Sequence, residues 1–265
     1  MVIAHGTPSW SFEWRAVIEA LRANHRVIVP DHLGFGLSDK PVDTSVLAPA
    51  AHARRLAALV RHLELTDALL VGHDFGGPIG AGALLAEPAR FSAVLLSNTW
   101  LWSLADRADV RRISRLVASP LGKLLYRGFN ASPRWIVPKM FGERFTLEER
   151  VHRHYTAPFP TWAARAAPWK LGVELAGSAS FYDELWNHRA ELAKLPTAIV
   201  WGRADPTFGD RELARLTDVL PRAQVHALED VGHFPAEEAV DALVNAVRAL
   251  DGGGLSMASS RAPRR

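Results

Sequence analysis

The sequence predicts an α/β protein built on a mostly parallel, doubly wound sheet. Short apolar runs that are typical of buried strands alternate with segments whose apolar residues recur at helical spacing. Glycine-rich or polar turns follow the predicted strands. Strands and helices that alternate in this way usually form a parallel sheet with helices on both faces. The 265 residues suffice for one such domain with an insertion.

The first elements follow this alternation. Residues 1–4 form an apolar run that leads directly into a His-Gly-Thr-Pro turn at 5–8, so the chain opens on a predicted strand. The spacing of apolar residues predicts helices over residues 12–25 and 49–63. Residues 26–29 predict a buried strand that leads into a polar, glycine-containing loop.

Residues 69–82 combine an apolar strand, a tight turn and a glycine-rich helix start. Gly72, Asp74 and Gly76 have the spacing of a nucleophile elbow, in which small neighbours allow a strained turn that exposes the central side chain. A carboxylate is already ionised at neutral pH and can attack an sp3 carbon to form an ester. The helix predicted from about Pro78 stabilises negative charge at that point. An aspartate before two glycines is also typical of a helix N-cap.

The chain changes character between residues 99 and 187. After the predicted strand at 93–96, this stretch holds prolines, arginines and helical patches but no clear buried strand, so we predict an inserted helical cap. Its tryptophans suit either a lid over an apolar pocket or the core of the cap itself. They are Trp100, Trp102, Trp135, Trp162, Trp169 and Trp186.

Strand and helix alternation resumes after the predicted cap, with strands at 197–202 and 223–228 and helices at 209–220 and 235–250. From Asp251 onward, glycines and small polar residues predict a disordered tail. Residues 1–98 and 188–250 form the core, residues 99–187 form the cap, and residues 251–265 form the tail.

Two polar residues follow the last two predicted strands. Asp205 comes after the strand that ends at Gly202, and His233 comes after the strand that ends at Leu228. The carboxyl ends of parallel strands meet at one edge of a sheet, and the chain order nucleophile, acid, histidine is that of the α/β-hydrolases. Taken singly, a loop histidine such as His233 is more often a solvated or capping residue, and an aspartate before proline, as at Asp205, is more often a turn former. Together with Asp74 they predict a catalytic triad.

Backbone amides near the elbow predict an oxyanion hole. In this arrangement one amide belongs to the residue after the nucleophile, here Phe75, and the other to an early loop, here Thr7. His5 is expected to belong to the scaffold of that loop rather than to act as the base.

Four stretches together resemble haloalkane dehalogenases over about residues 2–250. They are HGTPSWSFEWR at 5–15, DHLGFGLSDKP at 31–41, GHDFGGPIG at 72–80 and GHF at 232–234. Epoxide hydrolases and the β-lactone decarboxylases of the olefin pathway share part of this resemblance. It implies an α/β-hydrolase fold with a helical cap, in which Asp74 is the nucleophile, His233 the base and Asp205 the acid. The implied reaction displaces halide from an alkyl carbon and hydrolyses the resulting ester on Asp74 with water activated by His233. No cofactor is required.

The chain departs from the dehalogenase pattern at the halide donors. The family usually places a tryptophan directly after the nucleophile and an asparagine after His-Gly, whereas this chain has Phe75 and Thr7. A hydrogen bond to a charged partner contributes about 1.5–3 kcal/mol, so the loss of one slows halide departure unless another group compensates. The candidates are the Thr7 hydroxyl and the indoles of Trp100, Trp135 and Trp169.

A second departure concerns the start of the chain. The sheet of the family has about two strands before the His-Gly loop, and the sequence predicts none there. We therefore expect those N-terminal strands to be missing and strand 26–29 to form an open sheet edge.

Two other functions remain open. An epoxide or lactone hydrolase would use the same ester on Asp74, with two phenols from Tyr126, Tyr155 or Tyr182 above it, whereas a cap indole above Asp74 favours a halide. The other is a non-catalytic or truncated relative that binds a small apolar ligand.

The composition of the chain limits the classes of partner that we expect for it. There is no cysteine, so disulfides and thiolate metal sites are excluded. Three arginines in the last fifteen residues account for the net charge of +3, and we expect no nucleic-acid partner. No apolar run is long enough to span a membrane, so we expect no membrane partner and a cytoplasmic protein that meets a small apolar substrate and water. The oligomeric state is not predicted.

Overall fold

A five-stranded parallel sheet forms the centre of the protein, in a computed structural model that describes the backbone of residues 1–258 and the side chains of residues 1–251. Each strand pairs with the next strand along the chain, so the spatial order is the sequence order. The strands are β1 (Val2–Ala4), β2 (Ala68–Asp74), β3 (Phe91–Thr99), β4 (Thr197–Gly202) and β5 (Gln224–Leu228).

Helices cover both faces of the sheet. The helices of the core are α1 (Arg15–Leu21), α2 (Pro49–His62), α3 (Gly76–Ala86), α10 (Asp210–Val219), α11 (Pro235–Glu238) and α12 (Val240–Ala258). Between β3 and β4 lie α4 (Ala108–Ala118), α5 (Pro120–Lys123), α6 (Glu149–Thr156), α7 (Ala166–Gly177), α8 (Ala179–Asn187) and α9 (Arg189–Leu192).

The middle strands are buried along almost their whole length. Every residue of β2 and β4, and every residue of β3 except Ser92, is buried. Near-continuous apolar strands of this kind are typical of parallel sheets that are covered on both faces. One apolar core holds α2 and α3, and a second core on the other face holds α1 and α12, so the sheet is doubly wound as the sequence predicts.

Two predicted elements in the first part of the chain were wrong. Helix α1 covers only Arg15–Leu21 and follows a 3-10 turn at Ser11–Trp14, instead of running over residues 12–25. The predicted strand at 26–29 reduces to a single parallel bridge between Val2 and Ile28. Its neighbour β1 is three residues long, which leaves few backbone partners for a longer ladder.

Residues 100–196 contain helices and turns in the region where the sequence predicts a cap. Besides α4–α9, two short π-helical turns occur at Leu124–Gly128 and Ser132–Ile136. Helix α4 packs against α7 through Val110 and Val117, which are buried, while its opposite face is exposed. This region closes over the carboxyl ends of the strands, where Met140 contacts the loop after β5.

The last helix is longer than the sequence predicts. Helix α12 continues to Ala258 instead of ending near residue 250, although the glycines at 252–254 each disfavour a helix by about 1 kcal/mol relative to alanine. The rest of the predicted tail, residues 259–265, lies outside the described residues. In the described part of the chain, none of the helices combines the length and the apolar character that crossing a membrane requires.

Candidate active site

Asp74 lies at the sharp turn between β2 and α3. Its φ of +50° falls in the left-handed region, which non-glycine residues rarely adopt and which often marks a functional site. The turn exists because its neighbours are small. A Cβ atom on Gly76 would overlap the carbonyl oxygen of Ala4, and a Cβ atom on Gly6 would overlap the Asp74 carboxylate. These glycines let the early loop and the elbow approach each other closely.

The two oxygens of the Asp74 carboxylate have different surroundings. The Thr7 amide donates a hydrogen bond of 2.8 Å to Oδ1, whereas Oδ2 lies 3.7 Å from Nε2 of His233. Burial raises the pKa of Asp74 above its usual value, although His233, His73 and the amides of Thr7 and Phe75 favour the carboxylate. One oxygen is therefore fixed by the backbone, and the other faces the histidine.

His233 and Asp205 form a buried pair beside Asp74. Nδ1 of His233 lies 2.7 Å from Oδ2 of Asp205. Both residues come from loops at the carboxyl ends of strands, after β5 and β4 respectively, so the parallel sheet brings them to one edge. The His233 amide donates to the Met140 carbonyl at 2.7 Å, which fixes the loop against the cap region. The structure thus brings together the three side chains of the predicted triad.

Asn98, at the end of β3, was missed by the sequence analysis. Its Nδ2 donates hydrogen bonds of 2.9 Å to Oδ2 of Asp205 and to the carbonyl of Gly202, and its Oδ1 accepts from the amide of Gly202. The Thr207 amide donates to the other oxygen of Asp205 at 2.7 Å. A polar residue at the end of an otherwise apolar strand was the available signal, since functional groups gather at carboxyl strand ends.

The charges around His233 favour its protonated form. Burial alone lowers the pKa of the imidazole, but Asp205 outweighs this effect, with help from Asp74 and Glu13, and raises the pKa to about 9. Burial raises the pKa of Asp205, yet the hydrogen bond and charge of His233 and the bonds from Thr207 and Asn98 hold it below its usual value. A neutral Asp74 removes one of the charges that favour imidazolium, so a larger fraction of His233 is neutral and able to accept a proton once Asp74 is esterified.

A second buried pair lies behind the triad and was also missed. Oε1 of Glu13 lies 3.0 Å from Nδ1 of His73, and Nε2 of His73 donates to the backbone carbonyl of His233 at 2.7 Å. Ser9 donates a hydrogen bond to the other Glu13 oxygen. Burial raises the pKa of Glu13, but His73 and Ser9 outweigh it and hold the pKa below its usual value. A single acid among aromatic residues, in Ser-Phe-Glu-Trp, was the only sequence signal.

His5 supports the early loop, as the sequence predicts for it. Its Nδ1 donates to the carbonyl of Gly6 at 2.8 Å, and its Nε2 accepts a hydrogen bond of 2.9 Å from the His32 amide. Burial lowers the pKa of His5, which keeps the ring neutral and both bonds intact. Both ring nitrogens are therefore engaged in holding the loop that carries Thr7.

An apolar cavity of about 130 Å³ opens above Asp74. Phe75 lines it, and its ring packs edge-on against Trp100 with the ring centroids 4.8 Å apart. Besides Asp74 and His233, the polar residues that line it carry hydroxyls: Thr7, Tyr126, Ser132 and Thr207. The Thr7 hydroxyl is buried and has no hydrogen-bond partner within the described residues.

The three indoles considered as halide donors lie elsewhere. Trp169 donates its N–H to the carbonyl of Val117 at 2.9 Å, Trp135 is half exposed at the surface, and Trp100 is buried behind Phe75. Across the described residues, no tryptophan lines the cavity.

The tyrosines also do not place two phenols above Asp74, which is the arrangement expected of an epoxide or lactone hydrolase. The Tyr155 hydroxyl donates to Glu237 and the Tyr182 hydroxyl donates to the carbonyl of Glu174, while Tyr126 lines the cavity alone. The residues that the structure describes contain no cluster of three or more His, Asp or Glu side chains that could hold a metal ion.

The fold, the elbow and the three converging side chains define an α/β-hydrolase. The family model for the alpha/beta hydrolase fold matches residues 1–240, and the chain belongs to this family. Within it, the chain belongs to the branch that contains haloalkane dehalogenases and alkyloxetanone decarboxylases, to which its curated relatives belong.

Two relatives illustrate this branch. The cis-3-alkyl-4-alkyloxetan-2-one decarboxylase of Shewanella oneidensis is 34% identical over 94% of this chain and 80% of its own length. Haloalkane dehalogenase 2 of Mycobacterium tuberculosis is 31% identical over 93% of this chain and 86% of its own length. Both matches extend over nearly the whole chain and support the same branch.

Solved structures agree on the fold. Haloalkane dehalogenase DbeA from Bradyrhizobium elkani superposes with a TM-score of 0.83 at 23% identity, covering 95% of this chain and 90% of DbeA. Haloalkane dehalogenase DatA from Agrobacterium tumefaciens has a TM-score of 0.82 at 22% identity, covering 94% of this chain and 87% of DatA.

Proposed function

We propose that this protein hydrolyses small apolar electrophiles at a saturated carbon through an alkyl ester on Asp74, with haloalkanes as the first candidate substrates. The observation that carries the proposal is the unequal setting of the Asp74 oxygens. Oδ1 is held by the Thr7 amide at 2.8 Å, while Oδ2 faces the cavity beside His233. A carboxylate oriented in this way needs no base to attack carbon.

The first step forms the ester. Oδ2 of Asp74 attacks the alkyl carbon from the side opposite the leaving group, a C–O bond forms, and the carbon–halogen bond breaks with its electron pair on the halide. Apolar walls, including Phe75 and Leu175, orient the alkyl chain and exclude water from the nucleophile. The loss of charge on Asp74 then favours neutral His233.

The second step hydrolyses the ester. Nε2 of His233 accepts a proton from a water that attacks Cγ of Asp74, and Asp205 stabilises the imidazolium that forms. Charge on Oδ1 of the tetrahedral intermediate is held by the amides of Thr7 and Phe75. Collapse of the intermediate breaks the bond between Cγ and Oδ2, and the expelled alkoxide takes the proton back from the His233 imidazolium and leaves as the alcohol. The Asp74 carboxyl, which now contains one oxygen from water, releases its proton to solvent and becomes the carboxylate again.

The hydrogen-bond donors available to the leaving group are hydroxyls rather than indoles. The unpartnered Thr7 hydroxyl lines the cavity beside Asp74 and is the nearest substitute for the donors that Phe75 lacks. A hydrogen bond to an anion contributes about 1.5–3 kcal/mol, which supports halide departure from this site.

The same donor set supports a second candidate, the opening of a small oxygen ring. Hydroxyls from Thr7, Tyr126 and Ser132 suit a departing alkoxide or carboxylate, and the Shewanella relative acts, by its name, on an oxetan-2-one, which is a β-lactone. Attack of Asp74 on the ring carbon that bears the oxygen would give the same kind of ester, with the leaving oxygen still attached through the substrate.

Trapping the ester tests both candidates. In the His233→Gln variant the ester forms but is not hydrolysed. Mass spectrometry of the peptide that bears Asp74 should then find an added butyl group after incubation with 1-bromobutane, or the whole ring-opened substrate after incubation with styrene oxide or a cis-3,4-dialkyl β-lactone. The exposed His62 provides a control variant, His62→Gln, which should accumulate no adduct.

The pattern of adducts identifies the leaving group. An adduct from the bromide alone supports dehalogenation, and an adduct from a ring substrate alone supports the second candidate. No adduct from any of the three substrates, with a folded variant and an inactive wild-type protein, would contradict the proposed function.

A further inference from the structure

The outer surface of the cap region is strongly basic. Between Val110 and Gly142 the chain contains seven lysines or arginines and no aspartate or glutamate. In the described part of the protein, none of these seven cations forms an ion pair. No acidic side chain therefore neutralises these cations by direct contact, which the net charge of +3 for the whole chain does not reveal.

The same surface is apolar. Eight of the eleven large apolar side chains that the structure exposes lie on residues 113–136 or on Trp162. We call these residues and the seven cations the basic apolar face. Its apolar members are Ile113, Leu116, Leu121, Leu124, Phe129, Trp135, Ile136 and Trp162. A concentration of exposed apolar side chains at one place on a surface marks an interaction site.

Several members of the face contact one another. The rings of Phe129 and Trp135 stack with their centroids 6.3 Å apart, and the Arg127 guanidinium lies 4.9 Å from the ring centroid of Trp162. Ile113 and Ile136 both line the active-site cavity. Cations thus lie among and beside the apolar side chains rather than in a separate patch.

We propose that the basic apolar face binds the surface of an anionic membrane. Apolar and aromatic side chains bury themselves at the boundary between headgroups and acyl chains, while lysines and arginines attract anionic headgroups. Tryptophans such as Trp135 and Trp162 are favoured at that depth because an indole is both apolar and polar. A second copy of this chain fits less well, since it would bring two sets of seven like charges together.

The basic apolar face lies beside the entrance of the active-site cavity, so membrane binding would place that entrance against the lipid. Ile113 is 52% exposed and Ile136 is 39% exposed, yet both also line the cavity that contains Asp74. The cavity therefore opens on the membrane-facing side, and an apolar molecule dissolved in the lipid reaches Asp74 without crossing bulk water. The sequence predicted no membrane partner because it has no spanning run, but a peripheral face requires none.

Vesicle binding tests this inference without any substrate, so its result does not depend on the proposed reaction. The wild-type protein should sediment with vesicles of mixed phosphatidylglycerol and phosphatidylcholine, and binding should weaken as salt rises. Vesicles of phosphatidylcholine alone should bind it at least about tenfold more weakly.

Paired variants separate the face from general surface effects. Arg112→Glu with Arg115→Glu, or Leu121→Ser with Trp135→Ser, should lower vesicle partitioning by about tenfold or more, because all four side chains are exposed. The controls carry the same changes outside the cap and should bind like the wild-type protein. They are Arg54→Glu with Arg211→Glu and Leu37→Ser with Val42→Ser, all at exposed positions.

Three results would overturn the proposal. The first is a folded wild-type protein that does not bind anionic vesicles. The second is a loss of binding in the controls as large as in the face variants. The third is dimerisation in light scattering that the face variants abolish, without vesicle binding, which would assign the face to a second copy of the chain.

Discussion

Replacement of Asp205 by asparagine tests how the site tunes its base. Asp205 is the main group that raises the pKa of His233 from its ordinary value of 6.5 to about 9. A shift of that size corresponds to about 3 kcal/mol of preference for the imidazolium form. We therefore expect the His233 pKa to fall to about 6.5 or lower in Asp205→Asn, because burial then acts against less opposing charge.

The Asp205→Asn substitution disrupts hydrogen bonds around residue 205 in addition to removing its negative charge. Oδ1 of Asp205 accepts from the Thr207 amide, while Oδ2 accepts from Asn98 and lies 2.7 Å from Nδ1 of His233. An asparagine side chain has one acceptor and one donor, so either orientation turns its amide nitrogen toward a donor. If that nitrogen faces His233, it favours the tautomer whose Nε2 cannot accept a proton from water.

The expected result is a slow second step. About 3 kcal/mol corresponds to roughly a hundredfold, so ester hydrolysis should slow by at least that factor while ester formation continues. Quenched-flow measurement with 1-bromobutane should show a burst of bromide followed by slow turnover, and NMR titration should report the lower His233 pKa. The exposed Asp218 offers the control Asp218→Asn. An unchanged His233 pKa, or equal slowing of both steps, would refute this reasoning.

Four further changes have defined outcomes. Glu13→Gln removes a buried charge that raises the His233 pKa, so NMR titration should give a lower pKa and a slower ester hydrolysis. Gly6→Ala places a methyl group against the Asp74 carboxylate and should reduce ester formation by tenfold or more, on the order of 1.4 kcal/mol, in single-turnover assays. Phe75→Trp supplies an indole N–H at the cavity wall and should speed bromide release by roughly tenfold if halide is the leaving group, at a cost of about 1–3 kcal/mol in stability measured by urea unfolding. The folded-state pKa of His233 exceeds its unfolded value of 6.5, so its contribution to stability is complete below about pH 6.5 and is lost as the pH rises through about 9. Urea unfolding of the wild-type protein and His233→Gln at both ends of that range measures it.

Each of these expectations has a contrary result. A Glu13→Gln variant with an unchanged His233 pKa would assign Glu13 a purely structural role. Normal ester formation in Gly6→Ala would mean that the early loop moves away from the elbow. No change in bromide release for Phe75→Trp would indicate that halide departure does not limit that step. A stability difference between wild type and His233→Gln that stays constant with pH would remove His233 as the titrating group.

The sequence predicted the parts of the site that lie close together along the chain or at strand ends. Asp74 is recognisable because Gly72 and Gly76 flank it, and Asp205 and His233 because each follows an apolar strand. Backbone geometry dictates those residue types locally, so the signal survives in one sequence.

The parts of the site that the sequence did not predict depend on contacts between segments far apart in the chain. Glu13 and His73 are sixty residues apart in the chain, and only the folded sheet brings them together behind His233. Asn98 reaches Asp205 across the neighbouring strand. No local pattern encodes such pairs, since their partners are fixed by strand order and register.

The fold shows the same contrast between locally encoded features and features that depend on distant partners. Strands β2, β3 and β4 were predicted because strands buried on both faces are almost continuously apolar. The strand at 26–29 failed because forming a ladder depends on a partner of sufficient length, and apolar character alone does not supply one. The exposed apolar side chains of the cap were invisible in composition, because an amphipathic helix such as α4 has the same pattern whether or not a second surface covers it.

An isotope measurement tests most directly whether Asp74 forms an ester that water cleaves at Cγ. The wild-type protein turns over its substrate many times in water labelled with oxygen-18, and the peptide that bears Asp74 is then analysed by mass spectrometry. We expect that Asp74 gains heavy oxygen and that the alcohol from the first turnover carries ordinary oxygen from the carboxylate. Heavy oxygen in the alcohol of the first turnover, with an unlabelled Asp74, would mean that water attacks the substrate directly and would contradict the account.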